Sequence, residues 1–194
     1  MKNIKSLLFT GLIAPGLALA DASDYSYIEG SYLQGESGGV EIDGFGVNAS
    51  LEFFDRILAV ASFTDLGLDD DSPGADLDGD IQSVGLGYVF GRNETASVYG
   101  TVSYIEYDVR GRLGSVTFGD DSEGAQFELG ARMNLSPEAE LVVAVKHTDL
   151  GQGDEDTTPG VGLVYQFLPA LAGTLTYSRN SDDDLMGLGL RLTF

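Results

Sequence analysis

The chain lacks cysteine and tryptophan and has a single histidine, His147, among its 194 residues. Without cysteine, no disulfide framework can support the fold and no thiol chemistry can operate. Basic residues are scarce as well: 10 lysines and arginines face 31 acidic residues, for a formal net charge of −21. Because nucleic acids are polyanions, this charge balance argues against nucleic acid as a partner.

Long hydrophobic runs are also absent, apart from one near the N-terminus. Met1–Lys5 is short and cationic, Leu7–Leu19 is apolar, and Ala18–Ala20 has small residues at both ends. This order predicts a secretory signal peptide over residues 1–20, cleaved after Ala20. The apolar run is too short, and too interrupted by proline and glycine, for a transmembrane helix, which needs about 20 apolar residues. The remaining chain, residues 21–194, is long enough for one domain.

What the mature chain does have is apolar residues at every second position, together with 27 glycines in the full sequence. Such alternation, in segments of roughly ten residues, is typical of transmembrane β-strands with one face toward lipid and the other toward a lumen. Both faces of Ile57–Thr64 are apolar, so its orientation stays open. The ten predicted strands are Tyr25–Gln34, Phe45–Phe53, Ile57–Thr64, Val84–Phe90, Ser97–Tyr107, Ala125–Met133, Leu141–Thr148, Val161–Phe167, Thr174–Ser178 and Met186–Phe194.

The connections between these strands alternate between short and long. The short ones are Asp55–Arg56, Gly91–Glu94, Ser136–Glu138 and Pro169–Ala170, and the long ones are Gly35–Asp43, Asp65–Asp80, Asp108–Asp121, Asp149–Thr158 and Arg179–Asp184. Short turns on the periplasmic side and long loops outside are the asymmetry of an outer-membrane barrel. We therefore predict an all-β, antiparallel transmembrane barrel of ten strands, with eight as the alternative.

A soluble β-sandwich is the competing fold, because it also alternates and turns at similar intervals. Two features favour the barrel. The large-residue face is uniformly apolar, while the opposite face carries glycine and polar residues. The aromatic residues Phe53, Phe90, Phe167 and Phe194 fall at the same predicted end of their strands, as an interfacial girdle would.

The last residues, Gly189–Phe194, alternate apolar positions and end on an aromatic. This stretch resembles the C-terminal assembly signal of outer-membrane β-barrel proteins, and the chain as a whole resembles the small members of that family. The resemblance implies an outer-membrane location and recognition of Leu188, Leu190, Leu192 and Phe194 by the barrel-assembly machinery. Tyr25–Gly30 and Asp43–Val47 resemble a gammaproteobacterial subgroup that was once discussed as an elicitor of plant immunity. The resemblance carries no catalytic residue.

Three acidic and three basic residues have the parity that points them into the narrow lumen: Glu29, Glu52, Glu128, Arg132, Lys146 and Arg191. A barrel of this size has room for side chains or a thin channel. Because unpaired charges there are costly, we expect these six residues to form an ion-pair network. Two readings stay open: a structural plug, or a narrow porin-like channel that the inward glycines leave free.

Most of the acidic residues lie in the predicted long loops. Carboxylates are the ligands that Ca²⁺ prefers, and Asp76, Asp78 and Asp80 form a weak candidate site. Their glycine comes too early for an EF-hand loop, so a solvated, self-repelling loop is the competing interpretation. Divalent ions could also bridge these carboxylates to lipopolysaccharide phosphates.

No nucleophile motif supports catalysis, and His147 with Asp149 two residues later is the single candidate pair. We therefore expect a non-enzymatic outer-membrane barrel, with no cofactor and as a monomer, in contact with outer-membrane lipid and lipopolysaccharide. Its expected role is structural or in surface interaction. The alternative is a diffusion channel for small solutes.

Overall fold

The computed structural model describes residues 24–37, 40–68, 75–113, 116–151, 155–181 and 183–194. The predicted signal peptide, residues 1–20, lies outside this description. No helix in the described ranges is long and apolar enough to cross a membrane. The strands are β1 Tyr27–Ser37, β2 Val40–Phe53, β3 Ile57–Leu68, β4 Ala75–Arg92, β5 Ala96–Leu113, β6 Val116–Asn134, β7 Ala139–Asp149, β8 Glu155–Leu168, β9 Leu171–Arg179 and β10 Asp183–Thr193.

These described strands form one closed barrel in which each strand pairs antiparallel with its sequence neighbours. Closure is completed by β1 and β10, whose register runs from Tyr27 opposite Thr193 to Ser37 opposite Asp183. The ten-strand prediction is therefore confirmed and the eight-strand alternative is wrong. Because the strand number is even, β1 begins and β10 ends at the same end of the barrel, which also holds the short turns. We call this the turn end, and the opposite one the loop end.

The predicted alternation is confirmed by exposure. On β10, Leu188 and Leu190 are 68% and 58% exposed on the outer face. The parity of Ile57–Thr64, which the sequence left open, is now assigned: Leu58 points inward and is completely buried, whereas Ile57 and Phe63 are exposed on the outer face. This segment is apolar on both faces because the lumen itself is apolar at the level of Leu58.

The prediction of the long loops is wrong in their extent, because the strands continue into segments that were predicted as loops. Where a loop was expected over Asp65–Asp80, β3 runs to Leu68 and β4 begins at Ala75. Where one was expected over Asp108–Asp121, β5 runs to Leu113 and β6 begins at Val116. Hydrophobic alternation marks only the part of a strand that meets hydrocarbon. Backbone pairing continues beyond it through acidic and glycine residues, which a sequence pattern assigns to loops.

The turn end carries the predicted aromatic girdle. Phe53, Phe90, Phe167 and Phe194 lie there, each more than a third exposed on the outer face. Phe90 covers Gly100 and Phe167 covers Gly173, so each ring lies over a glycine of the adjacent strand. Such rings shield backbone that glycine would leave bare.

Leu190→Arg tests the outward face of β10. Leu190 lies near the middle of the membrane-spanning part of the strand, so the charged side chain should lower the free energy of unfolding by about 2–4 kcal/mol. Glu36→Arg is the matched control, because Glu36 lies on the outer face of β1 at the loop end. It should change stability by about 0–1 kcal/mol. Urea unfolding in lipid vesicles measures both, and equal effects would contradict the assignment of faces.

Candidate functional site

The lumen contains a cavity of about 350 Å³. Serines, threonines and glycines make up a large part of its wall, and apolar, aromatic and charged side chains make up the rest. Two of the serine hydroxyls, Ser62 Oγ and Ser83 Oγ, are 2.7 Å apart across β3 and β4. The serines and threonines in the wall are Ser31, Ser50, Ser62, Thr64, Ser83, Thr101, Ser103, Thr158, Thr174, Thr176 and Ser178.

At the turn end the lumen is filled by an apolar and aromatic cluster that we call the lumen floor: Tyr25, Leu58, Val89 and Tyr99. The rings of Tyr25 and Tyr99 meet edge to face with centroids 5.5 Å apart. The Tyr25 hydroxyl is 2.8 Å from Ser97 Oγ, so its polar end is satisfied inside the barrel. Tyr25 precedes β1, and the floor is therefore built partly by the segment that leads into the first strand.

A buried ion pair lies beside the lumen floor. The Arg132 Nη2 and Glu140 Oε1 atoms are 2.7 Å apart, and the two side chains are 5% and 1% exposed. Arg132 Nη1 also donates to the Asp24 carbonyl at 3.0 Å, and the guanidinium lies 4.5 Å from the centroid of the Tyr25 ring. Arg132 thus joins β6, β7 and the segment before β1. Burial raises the pKa of the nearby Asp24 carboxyl, although the Ser26 N–H bound to it acts in the opposite direction.

A second ion pair lies at the seam where the barrel closes. Glu29 and Arg191 are directly opposite each other in the β1–β10 register, with Nη2 and Oε2 2.7 Å apart. The Arg191 guanidinium is also 4.0 Å from the centroid of the Tyr27 ring. Opposite charges facing each other across strands favour this pairing register over a shifted one.

The remaining predicted lumen charges lie in two further pairs. Glu128 is 3.7 Å from Lys146 Nζ on β7 and accepts a 2.7 Å hydrogen bond from the Tyr99 hydroxyl. Glu52 pairs with Arg92 at 2.7 Å near the turn end. The six charges that the sequence pointed inward are therefore divided among four ion pairs.

Sequence reasoning missed two members of these pairs, Glu140 and Arg92. Glu140 has the same parity on β7 as Lys146, which was the available signal, but the predicted strand began one residue later at Leu141. Arg92 was assigned to a turn, whereas it is the last residue of β4. Within β4 the register shifts between Val89 and Gly91, so simple alternation could not orient Arg92.

The weak Ca²⁺ candidate is not supported as a cluster by the strand geometry. Asp78 and Asp80 are alternate residues of β4, so their Cα atoms are about 7 Å apart and their side chains share a face without converging. The Asp76 side chain lies outside the described part of the structure. Among the described residues no group of three or more histidines, cysteines or acidic side chains is arranged to hold a metal ion.

His147 and Asp149 do not form the hydrogen bond that a catalytic pair would need. Its Nδ1 atom is 3.0 Å from Thr157 Oγ1 on β8. The register places His147 opposite Thr157 across the β7–β8 ladder, on the outer face with Val145.

A profile of the outer membrane protein β-barrel domain matches residues 6–167. The chain belongs to this family. It is a protein of the bacterial outer membrane, and the turn end therefore faces the periplasm and the loop end the exterior.

Solved structures with a similar fold include OprG of Pseudomonas aeruginosa, at 16% identity and a TM-score of 0.49 over 87% of this chain and 95% of that one. The attachment invasion locus protein Ail of Yersinia pestis has 18% identity and a TM-score of 0.44 over 87% and 95% of the two chains. The KdgM porin in complex with disordered oligogalacturonate has 11% identity and a TM-score of 0.48 over 87% and 99%. No curated protein sequence matches the chain.

Arg132→Met should lower the free energy of unfolding by about 3–5 kcal/mol, because it leaves the Glu140 carboxylate buried without its cation. Adding Glu140→Leu to the same chain should recover most of the loss, since neither charge then remains. The matched control is Arg110→Met, which removes an exposed arginine paired with Asp108 and should change stability little. Equal losses in Arg132→Met and the double variant, measured by urea unfolding, would contradict a buried pair.

Gly130→Ala should displace Tyr99, since a Cβ at Gly130 would lie 2.4 Å from Tyr99 Cζ. Moving the ring breaks its hydrogen bond to Glu128, and overpacking of this kind costs about 1–3 kcal/mol. Gly30→Ala is the control, because a Cβ at Gly30 meets nothing within 4 Å. Unfolding free energies compare the two, and a tolerated Gly130→Ala would mean that the ring is not held there.

Proposed function

We propose that the protein is a non-enzymatic outer-membrane barrel with a structural and surface-interaction role, and that its lumen does not conduct solutes. The observation that carries this proposal is the filling of the turn end by the lumen floor and by the buried pair of Arg132 and Glu140. A solute in the 350 Å³ cavity would have to displace packed aromatic rings and break a desolvated ion pair to reach the periplasm. The same observation speaks against the porin-like alternative.

The surface role is supported by the charge of the outer face at the loop end. Asp65, Asp80, Asp108 and Asp121 lie opposite one another in the registers of β3 to β6. We call these four residues the acidic row. Like charges directly opposite each other on neighbouring strands are destabilising, so the row costs the isolated barrel stability. Arg110, which pairs with Asp108, offsets part of this cost, but four carboxylates face this one guanidinium. Cationic groups from outside would offset that cost, whether they belong to a protein or are divalent ions bridging to lipopolysaccharide.

The proposed absence of catalysis rests on the position of His147. It hydrogen-bonds Thr157 on the outer face of the barrel, where no lumen wall could enclose a substrate. We further propose that the protein is monomeric, needs no cofactor, contacts lipid and lipopolysaccharide, and is assembled through Leu188, Leu190, Leu192 and Phe194. The gammaproteobacterial subgroup suggested by Tyr25–Gly30 and Asp43–Val47 stays a prediction.

Single-channel recording tests the closed lumen. The purified protein, verified as folded by its heat-modifiable migration on gels, should insert into planar bilayers without stable conductance steps. Tyr25→Ser combined with Tyr99→Ser removes two rings of the lumen floor, and this variant should show openings that the unaltered protein lacks. Stable conductance steps from the unaltered protein would overturn the proposal in favour of the diffusion channel.

A further inference from the structure

Three neighbouring strands project beyond the rest of the barrel at the loop end. β4, β5 and β6 have 18, 18 and 19 residues, whereas β7, which follows them, has 11. The pairing of β6 with β7 runs from Asn134 to Ala125, which lies opposite Asp149 at the end of β7. Beyond that point β6 continues with β5 as its single described partner, up to Val116 opposite Leu113.

Residues 116–123 of β6 therefore form what we call the open edge. Within the described chain, the next residue, Gly124, is still covered, because a Cβ there would lie 2.1 Å from the Asp149 carbonyl oxygen. The open edge is about 26 Å long at roughly 3.3 Å per residue. Every second residue of such an edge turns its backbone N–H and C=O away from the sheet, as a template for another strand.

The charge on this edge has one sign. Asp121 and Glu123 are exposed on the outer face, and they lie opposite Asp108 and Glu106 of β5. A strand added to β6 would place one of its residues beside Asp121 and another, two positions away, beside Glu123. The residue beside Asp121 would lie in line with the acidic row. Lysine or arginine at those alternate positions would convert like-charge neighbours into opposite-charge pairs.

We propose that the open edge binds an extended peptide segment of another protein with basic residues at alternate positions, as an added β-strand. The proposal deepens the surface role given above and rests on it. Main-chain hydrogen bonds supply affinity in this mode of recognition, and the alternate side chains supply specificity. A second copy of this chain fits less well, because two such edges would bring Asp121 and Glu123 against carboxylates of the same kind.

The test uses the full mature barrel in lipid nanodiscs and a nine-residue peptide in which lysine alternates with threonine, with binding measured by calorimetry. Asp121→Asn combined with Glu123→Gln should weaken binding by at least about fivefold. The matched control is Asp184→Asn, which removes an outer-face acid on β10, a strand paired on both sides. It should leave the affinity within about twofold. A lysine peptide methylated at alternate backbone nitrogens should not bind, since it cannot complete the ladder.

Three results would overturn the proposal: no binding of the unmodified peptide, equal binding of the methylated peptide, or equal weakening by Asp184→Asn. The last two would indicate attraction to the net negative charge alone. Concentration-dependent dimerisation that Asp121→Asn and Glu123→Gln strengthen would instead identify a second copy as the occupant. Each of these results leaves the conductance experiment unaffected, so failure of this inference and failure of the closed lumen are separable.

Discussion

The structure depends on the requirement that every backbone N–H and C=O group within the hydrocarbon be paired. Lipid offers no hydrogen bonds, so a sheet that crosses the membrane must close on itself. Here β10 returns to β1 in a register that brings Glu29 opposite Arg191, so the seam is held by a ladder and by a pair of opposite charges. Phe194 belongs to this closure, because its N–H donates to the Ser26 carbonyl at 3.0 Å.

Closure creates a second problem, which is the interior. Ten strands enclose more space than small glycine and serine residues alone can fill. Larger side chains fill this interior at one end and leave a cavity further out. Near the periplasm, Tyr25 and Tyr99 pack together, and Arg132 binds both Glu140 and the Asp24 carbonyl. Further out, hydroxyl groups and the pair of Glu128 and Lys146 line an open cavity. The segment before β1 thereby becomes part of the interior, although it belongs to no strand.

Much of the fold could be predicted from the sequence because hydrocarbon imposes a strict period of two. From Met186 to Phe194, large apolar residues at every even position allow a single orientation of the strand. The sequence could not orient Ile57–Thr64, because Leu58 is apolar for a different reason: it belongs to the lumen floor and meets no lipid. It could not place the ends of β3 to β6 either, because strands outside the membrane need pairing but no apolar face.

The six inward charges were identifiable by parity, whereas their partners were not. Pairing depends on the register between strands, and register shifts such as that between Val89 and Gly91 are invisible in a single sequence. Arg132 illustrates the difference. Its neighbour on the same strand face, Glu128, is evident from spacing, yet Glu140 on β7 is the carboxylate that lies 2.7 Å away.

The central claim is that one face of each strand meets lipid and the other meets the lumen. The most direct measurement of it makes use of the absence of native cysteine. Single cysteines introduced at each position from 186 to 193 can carry a nitroxide spin label in a bilayer. Accessibility to oxygen, which partitions into lipid, should rise at Met186, Leu188, Leu190 and Leu192 and fall at the residues between them. Accessibility that does not alternate along β10 would contradict a strand with lipid on one side and the lumen on the other.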